Sequence, residues 1–233
     1  MHNTFMATTP NVKLLLCTFL GFLSFQVHGQ DFYEKLSKKL CRCLEREKVE
    51  TSDQMPLCYE QILFGNMEEI KKHYQVASLN DINAEALGSK LAAQLLKHCD
   101  YALKVLAKEE KQEKKTVTKQ ANLTCKDLRS GDFYYLNEIP NQQVPDTTHV
   151  TISGNIFLER MKGGRTFSLL NIEWKDNCHF VLVFKESNDP LKKELSKPGD
   201  EYVYEVMTNG PKSFVLKLFW KKEEFQIELF KTD

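Results

Sequence analysis

The sequence predicts an α+β protein, a small N-terminal helical bundle followed by an antiparallel β-barrel-like domain. Two observations carry this. The spacing of apolar residues is helical up to about Lys115 and alternating from about Leu123 onward. The cysteines divide the same way: Cys41, Cys43, Cys58 and Cys99 fall in the helical segment, Cys125 and Cys178 in the strand-like one. An even number of thiols in each segment points to two separately cross-linked units. The boundaries read as 1–29 for a leader, 30–115 for the helical unit, 116–122 for a linker and 123–233 for the β-domain.

The leader decides how the cysteines are read. Lys13 precedes the apolar run Leu14–Phe25, long enough for a signal-peptide core and short for a membrane span. Val27-His28-Gly29 fits a small-residue cleavage site, with Gln30 as the first mature residue. Leu16 stands before Cys17, which is wrong for a bacterial lipoprotein. The competing reading is an N-terminal membrane anchor; no second apolar stretch approaches spanning length, so no stable span is expected after cleavage. Export to the periplasm or the medium implies an oxidising compartment, where the six remaining cysteines favour disulfides over a reduced metal site.

In the helical segment, Phe32, Leu36, Leu40, Cys43 and Glu47 follow a helical spacing, with Tyr33 and Leu44 widening the apolar stripe, opposite Lys35, Lys38, Lys39, Arg42 and Arg46. Thr51-Ser52-Asp53 can cap a second helix with Pro56 in its first turn, ended by Gly65-Asn66. Met67–Tyr74 reads as a short helix. Asn80-Asp81 offers a cap for one long helix from about Ala84 to Lys111, in which Leu87, Leu91, Leu95, Cys99 and Leu103 recur at intervals of four. The Lys- and Glu-rich tail after it reads as a solvated linker, and Glu109-Glu110 as solvated carboxylates. Cys41 and Cys43 point about 200° apart on a helix and cannot share one partner. Two pairings remain: Cys43 with Cys58 and Cys41 with Cys99, which is preferred, or the exchanged set. The same geometry opposes a four-thiolate metal site.

The β-domain opens with Phe133–Leu136, His149–Ser153 and Asn155–Met161, short runs rich in aromatic and β-branched residues. Gly163-Gly164 supplies a hairpin turn before Thr166–Trp174. Asp176-Asn177 turns the chain into His179–Phe184, with Phe180, Leu182 and Phe184 on one face. Asp189-Pro190 stops that strand, and Leu191–Ser196 forms one helical turn. Glu201–Met207, Ser213–Lys222 and Glu224–Phe230 complete a meander. About eight closely spaced antiparallel strands suggest a small barrel or a tight sandwich. A Cys125–Cys178 disulfide would fasten the start of the domain to the strand after Trp174 and contribute about 3–5 kcal/mol on the chain-entropy account.

The runs Cys125-Lys126-Asp127-Leu128-Arg129-Ser130-Gly131-Asp132-Phe133 and Ile172–Leu182, with Trp174 and Cys178, resemble the C-x-D-x-x-x-G-x-F and W-x-x-x-C signatures of a family of uncharacterised exported Bacteroidota proteins. The Cys41-x-Cys43 segment resembles a helical module of exported proteins from the same bacteria. The resemblance implies a lipocalin-like β-domain. It brings no catalytic residue and no established ligand.

No enzyme motif stands up, so the chain reads as non-enzymatic. Ser168, Asp176 and His179 have no nucleophile elbow around them. Gly163-Gly164 lacks the lysine and hydroxyl of a phosphate loop, and nothing calls for a cofactor. Basic and acidic residues balance at 32 each, which gives no field for nucleic acid or an anionic membrane. Asn122-Leu123-Thr124 is a glycosylation sequon relevant only to a eukaryotic secretory host. The aromatic load of the β-domain either fills the core or lines a cavity for a small apolar ligand. Tyr135, Trp174, Phe180, Tyr204 and Trp220 are the candidate ligand residues. The alternative function is an envelope or extracellular interaction module with a fully packed β core and an exposed apolar patch on the helical unit.

Overall fold

The computed structural model describes residues 29–113, 117–137 and 144–232; residues 1–28, which hold the apolar core of the leader and Cys17, lie outside them. Five helices precede the barrel: α1 (Gly29–Arg46), α2 (Met55–Gly65), α3 (Met67–Tyr74), α4 (Ala84–His98) and α5 (Asp100–Glu113). Among the described residues no helix is long and apolar enough to cross a membrane.

The predicted stripe of α1 is its buried face, with Leu36, Leu40, Cys43 and Leu44 almost fully covered. The helix ends where Lys48 takes a left-handed conformation (φ 51°) and Val49 N–H reaches back to the Leu44 carbonyl at 3.0 Å. Pro56 sits in the first turn of α2, where its missing N–H costs nothing. Gln75, also left-handed, stops α3. The cap of α4 is Asn83, whose side chain accepts from Ala86 N–H at 2.9 Å, rather than the predicted Asn80-Asp81.

The single long helix expected over Ala84–Lys111 is two helices. Cys99 is extended (φ −120°, ψ 93°) and breaks the chain between α4 and α5. Leucines at intervals of four look the same whether the helix runs on or restarts, so periodicity alone misses the break. It falls at the disulfide Cys41–Cys99, which joins α1 to the α4–α5 corner. Cys43 pairs with Cys58 on α2, so the preferred of the two connectivities is the one formed. The tail is no solvated linker either. Helix α5 continues to Glu113, Glu109 accepts from Ser52 N–H at 2.9 Å and its hydroxyl at 3.1 Å, and Glu110 accepts from Gln226 N–H at 3.0 Å.

The second unit is a closed eight-stranded antiparallel barrel in sequential order: β1 (Gly131–Asn137), β2 (Asp146–Ser153), β3 (Ile156–Met161), β4 (Thr166–Trp174), β5 (His179–Ser187), β6 (Glu201–Asn209), β7 (Ser213–Trp220) and β8 (Glu223–Lys231). Closure by β1 and β8 removes free edges. The hairpin between β3 and β4 tightens through a 3-10 turn in which Lys162, Gly163 and Gly164 all have positive φ. Helix α6 (Pro190–Leu195) links β5 to β6; Asp189 caps it, accepting from Leu191 and Lys192 N–H at 3.1 Å each.

The barrel has two unlike ends. At one, a 3-10 turn over Lys126–Leu128 inserts fully buried Leu128 under a core that includes Phe133, Val150, Ile152, Ile172, Phe180 and Phe214. Cys125–Cys178 ties this turn to the β4–β5 connection, and the Arg129 guanidinium lies 4.5 Å from the centre of the Trp174 ring. At the other end the helical unit covers the mouth. Glu85 at the start of α4 pairs with Lys162 at 3.0 Å. At the far end of α4, Lys221 donates to the Leu96 and Lys97 carbonyls at 2.8 and 2.5 Å. Lys97 itself donates to the Glu194 carbonyl of α6. Helix α4 therefore spans the mouth from the β3–β4 turn to the β7–β8 turn, with α6 beneath it.

Two outcomes follow for stability. Opening the 58-residue separation bridged by Cys41–Cys99, or the 53-residue separation bridged by Cys125–Cys178, with paired serines should each cost about 4 kcal/mol on the chain-entropy account, read from denaturant unfolding. His73 stacks on Phe32 at 3.9 Å with Tyr33 and Tyr74 edge-on. Burial first, and the charge of Lys90 second, hold its imidazole below its usual 6.5. The unfolded chain then takes up the proton first, so this contribution is full above about pH 7 and is lost as pH falls through the unfolded value toward the folded one. The urea midpoint should drop between pH 7.5 and 5.0, and His73→Phe should remove part of that drop.

Candidate functional site

Strand alternation sends one side chain in two into the barrel, and toward the covered mouth the inward positions become polar. Tyr135 on β1, Thr148 on β2, Glu159 on β3, Ser168 on β4 and Tyr204 on β6 replace the aromatics and aliphatics of the closed end. Lys192 enters from α6. Its ammonium donates to Glu159 Oε2 at 2.5 Å, and the Tyr135 hydroxyl donates to Glu159 Oε1 at 2.7 Å. Lys192 Nζ stands 3.5 Å from the Tyr135 oxygen, the limit of a hydrogen bond. Asn137 donates to the Thr148 hydroxyl at 2.9 Å. Among the described residues no hydrogen bond reaches the Tyr204 hydroxyl.

Tyr135, Asn137, Glu159, Lys192 and Tyr204 border a cavity of about 560 Å³. Its floor is Phe157, Leu216 and Leu218, and its side is β8 around Ile227 and Leu229. The outward-facing Leu136 and Phe230, and Glu110 of α5, also line it, so the space runs from the interior out between β1 and β8. The reason lies in the pairing. β1 and β2 are in register from Gly131↔Ile152 to Asn137↔Asp146, whereas β1 and β8 pair only at Phe133↔Lys231 and Tyr134↔Phe230 among the described residues. Beyond Tyr134 the two strands splay apart. The volume lies within the range of small-molecule sites, which is about 300–1,000 Å³.

The electrostatics set the charge state of the polar wall. Burial opposes the charge on Lys192, yet the Glu159 carboxylate beside it prevails and holds the ammonium above its ordinary value. Burial, then the Glu159 charge, push the phenols of Tyr135 and Tyr204 up, so both stay neutral across the physiological range. A protonated amine and two neutral phenols present hydrogen-bond donors. Glu159 keeps 10% of its side-chain surface and Lys192 33%, so the amine is reachable from the cavity while the carboxylate is enclosed.

Of the five candidate ligand residues, Tyr135 and Tyr204 line this cavity. Phe180 stacks on Tyr204 with centroids 5.1 Å apart, behind the cavity wall. Trp174 lies below Phe180 at the closed end, beneath Arg129, and Trp220 sits at the mouth-side tip of β7, next to Phe225. Glu159 and Lys192 escaped sequence reading. The one signal for Glu159 is a carboxylate at an inward position of β3, between Phe157 and Met161. Lys192 has none, because its partner is far along the chain and α6 alone fixes its direction.

The other chemical groupings disperse. His179 contacts Asp176 at 2.6 Å and Glu205 at 3.2 Å on the outside of the closed end. Ser168 pairs with Ser187 at the opposite end of β5, roughly 26 Å of strand away at 3.3 Å per residue. All six cysteines of the described residues are in disulfides, the pattern of a chain that folds in an oxidising compartment outside the cytoplasm.

Comparison with known proteins leaves the site to speak for itself. No family model matches the chain, and no similar curated protein or solved structure is found.

The ion pair yields a double-mutant test. Glu159→Leu or Lys192→Met alone leaves one charge without its partner and should cost about 2 kcal/mol, less than a wholly enclosed pair would, because Lys192 keeps contact with the cavity. The double variant should be more stable than the sum of the singles predicts, by about 1–3 kcal/mol in urea unfolding.

Proposed function

We propose that this chain is an exported, non-enzymatic binding protein that holds a small, mainly apolar molecule in its β-barrel. The observation that carries the reading is the cavity between β1 and β8, apolar on its floor and bearing Tyr135, Tyr204 and Lys192 on its upper wall. Polar and apolar residues share the lining about equally, and an apolar floor beneath convergent polar groups suits a ligand with an apolar body and a polar point of attachment. The resemblance to lipocalin-like domains of exported Bacteroidota proteins agrees with it, as do the leader-like N-terminus and the disulfides, which favour the periplasm or the medium.

The alternative, an interaction module with a packed β core, draws on Leu57 and Phe64 of α2, which are 72% and 66% exposed. They lie seven residues apart and share a helix face. The unfilled barrel weighs against the packed core that this reading requires.

The test is titration with N-phenyl-1-naphthylamine, a neutral fluorophore that brightens in apolar surroundings. One saturable site per chain is expected, and Leu218→Trp, which fills the cavity, should weaken binding at least tenfold with an unchanged circular dichroism spectrum. No saturable binding, or equal binding by the filled variant, would contradict the proposal.

A further inference from the structure

The polar wall of the cavity restricts the charge of its occupant as well as its size. We infer that the site takes an uncharged, predominantly apolar molecule bearing an oxygen acceptor, such as a ketone, ester or amide, with that oxygen on the Tyr204 hydroxyl and the Lys192 ammonium. This rests on the reading of the barrel as a ligand binder and adds the chemical class.

The hydrogen-bond inventory gives the acceptor. Lys192 has three N–H donors, of which Glu159 takes one at 2.5 Å and the Tyr135 oxygen stands at the 3.5 Å limit. Tyr135 spends its own proton on Glu159 at 2.7 Å. The Tyr204 hydroxyl meets no hydrogen-bonding partner among the described residues, though it lines the cavity. The wall therefore has donors to spare that open onto the cavity, and a ligand that covered them without offering an acceptor would leave them unpartnered at a cost in free energy.

Charge excludes the ionic alternatives. Glu159 already neutralises Lys192, so a ligand carboxylate would add a second negative charge beside Glu159, with Glu110 at the outer rim. A ligand ammonium would face Lys192. A carboxylate would meet Lys192 already paired, and an ammonium would meet the Glu110 and Glu228 carboxylates at the outer rim but Lys192 at the polar wall inside, where an unpaired charge is expensive to enclose. A neutral carbonyl accepts the same hydrogen bonds without that cost. Its hydrocarbon body would lie on Phe157, Leu216, Leu218 and Ile227.

The experiment is displacement of N-phenyl-1-naphthylamine from the oxidised chain at pH 7.5 by chains of matched length: 2-undecanone, decanoate, decylamine and undecane. The ketone should displace at a concentration at least tenfold below each of the other three. Tyr204→Phe, which keeps the ring and removes only the hydroxyl, should reduce the ketone's advantage over undecane at least threefold and leave undecane unchanged. Decanoate or decylamine matching the ketone, or a ketone advantage that survives Tyr204→Phe, would overturn the inference while leaving a binding barrel in place. Failure of the fluorophore itself to bind would remove the underlying reading, and this inference with it.

Discussion

The contact between Lys192 and Glu159 is the interaction on which the arrangement of this protein turns. It carries a charge from the β5–β6 connection into the interior of the barrel, where Glu159 stands ready on β3. Because Lys192 belongs to α6, the pair fixes that helix over the mouth, and α6 is in turn the platform on which α4 lies. An enclosed ion pair is a poor source of net stability, since desolvation offsets much of the attraction. Its value here is positional. It orients an ammonium and the Tyr135 phenol at a place where aliphatic side chains would have filled the space.

The two ends of the barrel divide the labour. At the closed end, Leu128, Phe133, Phe180 and Phe214 pack solidly, and Cys125–Cys178 ties the entry turn to the β4–β5 connection. At the mouth, polar inward residues, the short β1–β8 pairing and the coverage by α4 and α6 leave a sheltered space instead of a core. The disulfides of the helical unit matter to this second end. Cys41–Cys99 sets the α4–α5 corner, from which α4 crosses the mouth and α5 runs along β8 with Glu110 at the cavity rim.

Much of this was legible from residue order. Alternation, turn residues and the division of cysteines gave the helical unit and an antiparallel barrel or sandwich, and narrowed the helical cross-links to two sets, because each depends on local periodicity or on geometry along one helix. The break at Cys99 was not legible, since a four-residue leucine interval continues through it unchanged. Neither was the role of Glu109 and Glu110, whose partners Ser52 and Gln226 are distant in sequence. Tyr135 and Tyr204 could be named as aromatic inward positions, but Trp174 and Trp220 carry the same pattern and lie at the two ends of the barrel. Register and the splay of β1 from β8 separate them, and both arise from the closed sheet as a whole.

The central claim is that the space beside Tyr204 receives a ligand. It is tested most directly by methyl NMR of the oxidised chain during titration with N-phenyl-1-naphthylamine, whose ring currents report location. The account predicts large shifts at Leu216, Leu218 and Ile227, with Ile152 and Ile172 at the closed end and Leu36 and Leu40 in the helical core unmoved. Shifts confined to Leu57 and its neighbours on α2, with the barrel methyls unchanged, would contradict it.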